Sequence, residues 1–219
     1  MIAVARPLRR CALAVLAPLL ALLAPTAAWA DMASDVKALQ DGWAHMTYEV
    51  KGGAPQAKAL DQLARQADAM LARYPGRAEP LLWVGIVASE RANRASIFRK
   101  LSYATKARDL IARAYTIDPQ AAGGGVALTL GVLYYKVPGS PFAWGDDERA
   151  GKLLRQALAL DPDGLDANYF YGDYLLAQGD KPGARSHFQR ALRAPRDASR
   201  PVWDAGRRRD LRNLIAKAG

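Results

Sequence analysis

The stretch AGKLLRQALALDP, residues 150–162, decides the fold because its spacing occurs twice more in the chain. A small residue is followed by a large one four positions later and by a second small one after three more, and a proline closes the unit. The spacing recurs 34 residues on in ARSHFQRALRAP, residues 184–195, and upstream in ARDLIARAYTIDP, residues 107–119. Steps of four and three lie on one face of an α-helix, and proline ends such a helix. The sequence therefore predicts three similar helices, each with one apolar face.

A glycine precedes each of these helices, within a segment that is itself helical in pattern. Gly85, Gly131 and Gly172 would let the first helix of a pair lie close to the second. Strand patterns are absent after residue 33, and Ala, Leu, Arg, Gln and Lys, which favour helix, dominate. The predicted helices outside the repeated stretches are Asp35–Val50, Gln56–Tyr74, a first helix from Leu81 that an insertion of about ten residues lengthens through Arg99, Val126–Lys136, and Pro201–Ala218.

The repeated spacing and the three glycines resemble the tetratricopeptide repeat superfamily. The resemblance implies an all-α, right-handed solenoid of helical hairpins with a C-terminal capping helix, whose first helices line a concave binding surface. It divides the chain into a signal peptide (1–30), a degenerate N-terminal helix pair (31–77), tetratricopeptide-like repeats (78–199) and a capping helix (200–219).

A closer resemblance concerns the segment YYKVPG at 134–139, WGD at 144–146, ALALDPDG at 157–164 and NYFYG at 168–172. These motifs are similar to the TatT-type proteins, which are periplasmic T-components of TRAP transporters. This resemblance implies, as an alternative function, a component that binds or passes a small solute and meets the solute-binding protein of a transporter.

The first 30 residues have the composition of a secretory signal peptide. Three arginines precede an apolar run at 12–24 that is too short to span a membrane, and AWA at 28–30 is a small-x-small cleavage site. We expect cleavage after Ala30 and a periplasmic location, with retention of the segment as an anchor as the alternative. The Arg9-Arg10 pair leaves open whether export is Sec or twin-arginine. Cys11, the only cysteine, lacks the small and apolar neighbours of a lipidation site.

Positive charge is concentrated at the C-terminal end. The formal net charge of +10 becomes +7 without the signal arginines, and residues 190–219 contribute +6 of it. The arginines of the last helix, Arg207, Arg208, Arg209 and Arg212, are predicted to face water, opposite Val202, Trp203, Leu211, Leu214 and Ile215. The alternative is contact between Arg207, Arg208 and Arg209 and anionic lipid. Exposed aromatic residues are not interleaved with these cations, which argues against nucleic acid.

Alignment with tetratricopeptide pairs predicts which side chains line the concave surface. They are Glu79, Leu82, Ile86, Leu128, Val132, Tyr135, Tyr169 and Asp173. The two tyrosines and Asp173 suit a peptide or a small organic ligand, since tyrosine offers an apolar face with a polar tip. Ordinary packing between helices is the alternative for both tyrosines.

The segment 137–146 carries two prolines and two large aromatic residues, and it is predicted to be a loop beside the groove. Phe142 and Trp144 would be costly to expose, so they either fill a neighbouring cleft or contact a partner. Asp146 is predicted to cap the next helix.

Motifs for catalysis and metal binding are lacking. His45 and His187 lie far apart in sequence, and the acidic turn at 161–166 lacks the glutamate that closes a calcium loop. No nucleophile elbow or phosphate loop occurs. The sequence therefore predicts a non-enzymatic, exported scaffold without cofactor or metal, which binds a protein or peptide in its concave groove.

Overall fold

The computed structural model describes the backbone of residues 24–218 and the side chains of residues 31–217. This part of the chain is helical, and its only β-type pairing is an isolated bridge between Gly139 and Gly145. The helices are α1 (Ala24–Tyr48), α2 (Gly53–Arg73), α3 (Ala78–Arg94), α4 (Ile97–Ile117), α5 (Gly125–Lys136), α6 (Asp147–Leu160), α7 (Leu165–Ala177), α8 (Lys181–Arg193) and α9 (Pro201–Ala218), and a short 3₁₀ turn at Ala121–Gly124 precedes α5.

The helices form four antiparallel hairpins in sequence order, and α9 follows the last. The hairpins pair α1 with α2, α3 with α4, α5 with α6, and α7 with α8. The odd-numbered helices also contact one another in order, which places them on the inner side of the solenoid. We call the edge where each inner helix ends and its outer partner begins the hairpin edge. The predicted all-α solenoid of helical hairpins is confirmed.

The glycine of each inner helix lies against the large residue of its outer partner, as the spacing predicts. A Cβ atom on Gly85 would stand 2.4 Å from Ile111 Cγ1, and one on Gly131 would stand 2.9 Å from Leu154 Cγ. Both large residues are fully buried. The absent side chain therefore allows the helix axes to approach, and the same rule holds in the degenerate first pair, where Gly42 faces Leu63.

The two ends of the described chain meet, because α9 packs against α1. The ring of Tyr48 in α1 covers Gly206 in α9, where a Cβ atom would lie 2.4 Å from the ring. Its hydroxyl donates a hydrogen bond to Asp210 Oδ2 at 3.2 Å. One buried cluster includes Tyr48, Phe188 and Leu211. The inner helices therefore close into a ring instead of forming an open arc.

One predicted boundary differs from the structure. The insertion does not run as one helix through Arg99: α3 ends at Arg94, and α4 begins at Ile97 after a turn at Ala95 and Ser96. The inserted residues therefore lengthen both helices of this hairpin. Of the predicted signal peptide, residues 1–23 lie outside the described residues, and α1 is described from Ala24 onward. Within the described residues, none of the helices is both long and apolar enough to cross a membrane.

Candidate functional site

A polar and aromatic cluster occupies the inner face where α5 and α7 run side by side. Tyr135 donates a hydrogen bond to Asp173 Oδ2 at 2.7 Å, and Lys136 Nζ lies 2.6 Å from the same oxygen. Burial raises the pKa of Tyr135, and the negative charge of Asp173 raises that pKa further. The tyrosine therefore stays a neutral donor at any physiological pH. This cluster brings together two of the predicted groove residues, Tyr135 and Asp173.

Tyr169, a third predicted groove residue, supports a buried cation. The guanidinium of Arg207 lies over the rings of Tyr169 at 4.6 Å and Phe170 at 5.0 Å, measured to the ring centres. Its Nε is 2.8 Å from Asp166 Oδ1. Burial acts to lower the pKa of Arg207, but the charge of Asp166 and neighbouring groups outweigh it, so the net shift is upward. A cation held between aromatic faces and a carboxylate ties α9 to α7.

The prediction that Arg207 and Arg208 face water is wrong, since they are only 8% and 4% exposed. Arg208 donates hydrogen bonds to the carbonyl oxygens of Leu192 and Ala194, both at 2.8 Å. These carbonyls belong to the end of α8, where backbone acceptors lack partners within the helix. Arg208 also donates to Asp204 at 3.0 Å. Neither arginine can serve the lipid contact considered for α9, whereas Arg209 is exposed.

The inner face also holds a contact between the first two hairpins. Trp43 Nε1 in α1 donates a hydrogen bond to Glu90 Oε1 in α3 at 3.1 Å, and Arg94 pairs with the same carboxylate. The Trp43 ring centre lies 5.7 Å from the Arg207 guanidinium. Arg207 therefore stands at the junction of α1, α7 and α9, inside the ring.

The loop at 137–146 separates its two aromatic side chains. Trp144 packs edge-on against Tyr134 at 5.7 Å and donates a hydrogen bond to Thr105 Oγ1 in α4 at 2.9 Å. The Arg108 guanidinium covers its ring at 4.6 Å. Phe142, in contrast, is 83% exposed. One aromatic residue therefore fixes the loop, and the other remains on the surface.

Backbone contacts hold the loop on both sides of Phe142. Gly145 donates to the Pro138 carbonyl at 2.9 Å, and the Phe142 amide donates to the Gly139 carbonyl at 3.0 Å. Asp146 accepts from the Arg149 amide at 2.9 Å, which confirms its predicted role as the helix cap. The loop that carries the exposed Phe142 ring is therefore held in place by hydrogen bonds.

Sequence reasoning missed a second exposed apolar group at the hairpin edge. Ile97, Phe98 and Leu101, in the first two turns of α4, are 82%, 92% and 42% exposed. The sequence did contain a signal, since Phe98 and Leu101 fall outside the buried stripe of α4 that includes Ala107 and Ile111.

The structure places the remaining apolar residues of the predicted groove in or against the core. Leu128 is buried, and Val132 packs beside it half-buried. Among the described side chains, no three of His, Cys, Asp and Glu converge as metal ligands.

Comparison with known proteins shows what this helical arrangement is similar to. Residues 143–207, from the loop through the first turns of α9, match the tetratricopeptide repeat family model. The fold is a tetratricopeptide-type solenoid. The structure of TTC0263, a thermophilic tetratricopeptide protein of Thermus thermophilus, has a TM-score of 0.57 at 20% identity, with 74% of each chain covered.

A second solved structure, MamA, has a TM-score of 0.42 at 18% identity, and the match covers 77% of this chain and 94% of MamA. That score is too low to establish a shared fold. No curated protein sequence matches the chain. The resemblance to TatT-type proteins stays a prediction.

Proposed function

We propose that this tetratricopeptide-type protein is an exported, non-enzymatic scaffold that binds a protein partner at the hairpin edge. The contact surface consists of Phe142 and the adjoining inner-face cluster of Tyr135, Lys136 and Asp173. Repeat solenoids of this type act mainly through protein–protein contacts. The small-solute alternative has no comparable support in the geometry.

The observation that carries the proposal is the fixed presentation of Phe142. The aromatic ring is 83% exposed, and the loop under it is held by Trp144 and by backbone hydrogen bonds. A preformed surface loses little conformational entropy when a partner binds. Aromatic side chains of this kind are frequent binding hot spots.

The inner-face cluster adds polar groups beside this anchor. Lys136 is the last residue of α5, directly before the loop, and its side chain is half-exposed. It shares Asp173 with Tyr135, so the carboxylate is held in one orientation. A partner that buries Phe142 against this end of α5 would meet one cation and one carboxylate in fixed positions, which favours a defined orientation of the complex.

The test is capture of partners from a periplasmic extract by the full chain, followed by crosslinking and mass spectrometry. Phe142→Ser should reduce recovery of at least one protein by about tenfold, in line with loss of one aromatic hot spot. Leu160→Ser is the matched control, because Leu160 is also exposed but lies at the end of α6 away from the hairpin edge. An unchanged set of captured proteins with Phe142→Ser would contradict the proposal.

A further inference from the structure

The turn between α3 and α4 projects an apolar tip that nothing in the described chain covers. Ile97 and Phe98 are the first two residues of α4, and Leu101 follows one turn later. The side chains of Ile97 and Phe98 are 82% and 92% exposed, which is comparable to Phe142. Large neighbouring apolar side chains on a protein surface indicate contact with a partner or a membrane.

Basic residues are interleaved with these apolar side chains. The segment from Glu90 to Leu101 contains Arg91, Arg94, Arg99 and Lys100 and a single carboxylate, Glu90. That carboxylate is already occupied by Arg94, and Arg91 pairs with Asp61 at 3.1 Å. Arg99 and Lys100 are exposed and have no ion-pair partner among the described side chains. The tip therefore carries uncompensated positive charge directly beside its apolar side chains.

The shape of the tip suits the surface of a lipid bilayer better than a binding pocket in a protein. The insertion lengthens both α3 and α4, so the apolar side chains stand at the end of a helical hairpin instead of inside a groove. A protein would need a matching cavity for this projection. A bilayer interface accepts it without one, since apolar side chains enter the acyl boundary while arginine and lysine stay at the head groups.

We propose that the α3–α4 tip docks the protein on an anionic membrane surface, with Ile97, Phe98 and Leu101 at the acyl boundary and Arg99 and Lys100 at the head groups. Anionic head groups attract juxtamembrane cations, and the excess of positive charge at the tip matches that attraction. This contact uses different residues from the surface around Phe142, and it takes the place of the lipid contact that burial denies to Arg207 and Arg208.

Vesicle co-sedimentation of the full chain tests the proposal. The vesicles are phosphatidylcholine alone or phosphatidylcholine with about 30% phosphatidylglycerol, and the readout is the ratio of the two partition coefficients. Residues 12–24 are the same in every variant, so differences between variants report the tip. We expect the ratio to exceed about tenfold for the wild type at roughly 50 mM salt and to fall at roughly 200 mM, because salt screens the head-group attraction.

Two tip variants separate the apolar and the ionic contributions. The pair Ile97→Ser with Phe98→Ser should lower binding to the anionic vesicles at least about tenfold, because two large side chains no longer enter the interface. The pair Arg99→Gln with Lys100→Gln should remove the preference for phosphatidylglycerol. Serine is accepted at a helix start, and circular dichroism and the melting temperature check that each variant folds.

The control is Ile117→Ser with Leu160→Ser, which removes two exposed apolar side chains at the far ends of α4 and α6. It should bind as the wild type does. The proposal is overturned if no vesicle binds, if tip and control variants behave alike, or if binding is indifferent to phosphatidylglycerol. A protein that crosslinks to the tip in the absence of vesicle binding would also overturn it, in favour of an acidic protein partner.

Discussion

At the scale of single residues, Arg207 shows how far burial depends on distant partners. Whereas Arg209 and Arg212 lie on the polar side in a helical projection of α9, Arg207 lies on the apolar stripe, four residues after Trp203 and four before Leu211. Its neighbours Trp43 and Tyr169 come from helices far away in sequence. Sequence reasoning identified Tyr135, Tyr169 and Asp173 as inner-face residues, but it placed Arg207 on the wrong face of α9 and could not identify the residues that Arg207 contacts.

The buried ion pair between Arg207 and Asp166 gives a prediction about stability. Arg207→Ala leaves Asp166 without its cation and removes packing against two aromatic rings, so we expect a loss of about 3 kcal/mol in the free energy of unfolding. Urea denaturation monitored by circular dichroism measures it. Arg212→Ala, on an exposed part of α9, should change that free energy by less than about 0.5 kcal/mol. Equal effects of the two substitutions would argue against the buried pair.

At the scale of helices, the spacing of small and large residues predicted the hairpins. It did so because the glycine of each inner helix packs directly against the large residue of its outer partner. The boundary at Ala95 and Ser96 escaped prediction for a physical reason. The turn contains neither glycine nor proline, and its one local signal is Ser96, a residue type common at helix starts, which is the N-cap of α4. The separate roles of Trp144 and Phe142 were likewise set by the position of Thr105 in a neighbouring hairpin.

The glycine contacts give a prediction for a single hairpin. A Cβ atom on Gly172 would stand 2.7 Å from the Phe188 ring, which is fully buried and cannot easily move. Although alanine favours helix, Gly172→Ala should destabilise the protein by about 1–3 kcal/mol through this overlap. Thermal unfolding measures the effect.

The matched control for Gly172 is Gly53→Ala at the start of α2, where a new Cβ atom meets no atom within 4 Å. It should be neutral or raise the melting temperature, since alanine has the higher helix propensity. A melting temperature for Gly172→Ala at or above that of the wild type would show that the α7–α8 hairpin is looser than its geometry indicates.

At the scale of the whole molecule, the packing of α1 against α9 is the feature that was hardest to predict from the sequence. Closure depends on the curvature accumulated over four hairpins, to which every turn and insertion contributes. One signal was present: Gly206 follows Gly172 by 34 residues, the spacing of the regular units. It marks α9 as similar to the first helix of a pair, and Tyr48 of α1 lies against Gly206 where the other pairs place the large residue of the outer helix.

Closure predicts that the two ends of the chain share their stability. Gly206→Leu would push against the Tyr48 ring, so hydrogen exchange measured by mass spectrometry should accelerate in α1 as well as in α9. In α4 and α5, on the opposite side of the ring, exchange should change little. Faster exchange that stops at α7–α9 and spares α1 would mean that the ends do not hold each other in solution.

Because α9 packs against α1 and closes the ring, hairpins cannot be added or removed without breaking this contact. An open array of repeats tolerates duplication at either end, since each added unit meets only its neighbour. Here an extra hairpin at the end of the array would separate Tyr48 from Gly206 and uncover both. Variation in length is left to the hairpin edge, where one insertion lengthens α3 and α4 and the other forms the 137–146 loop.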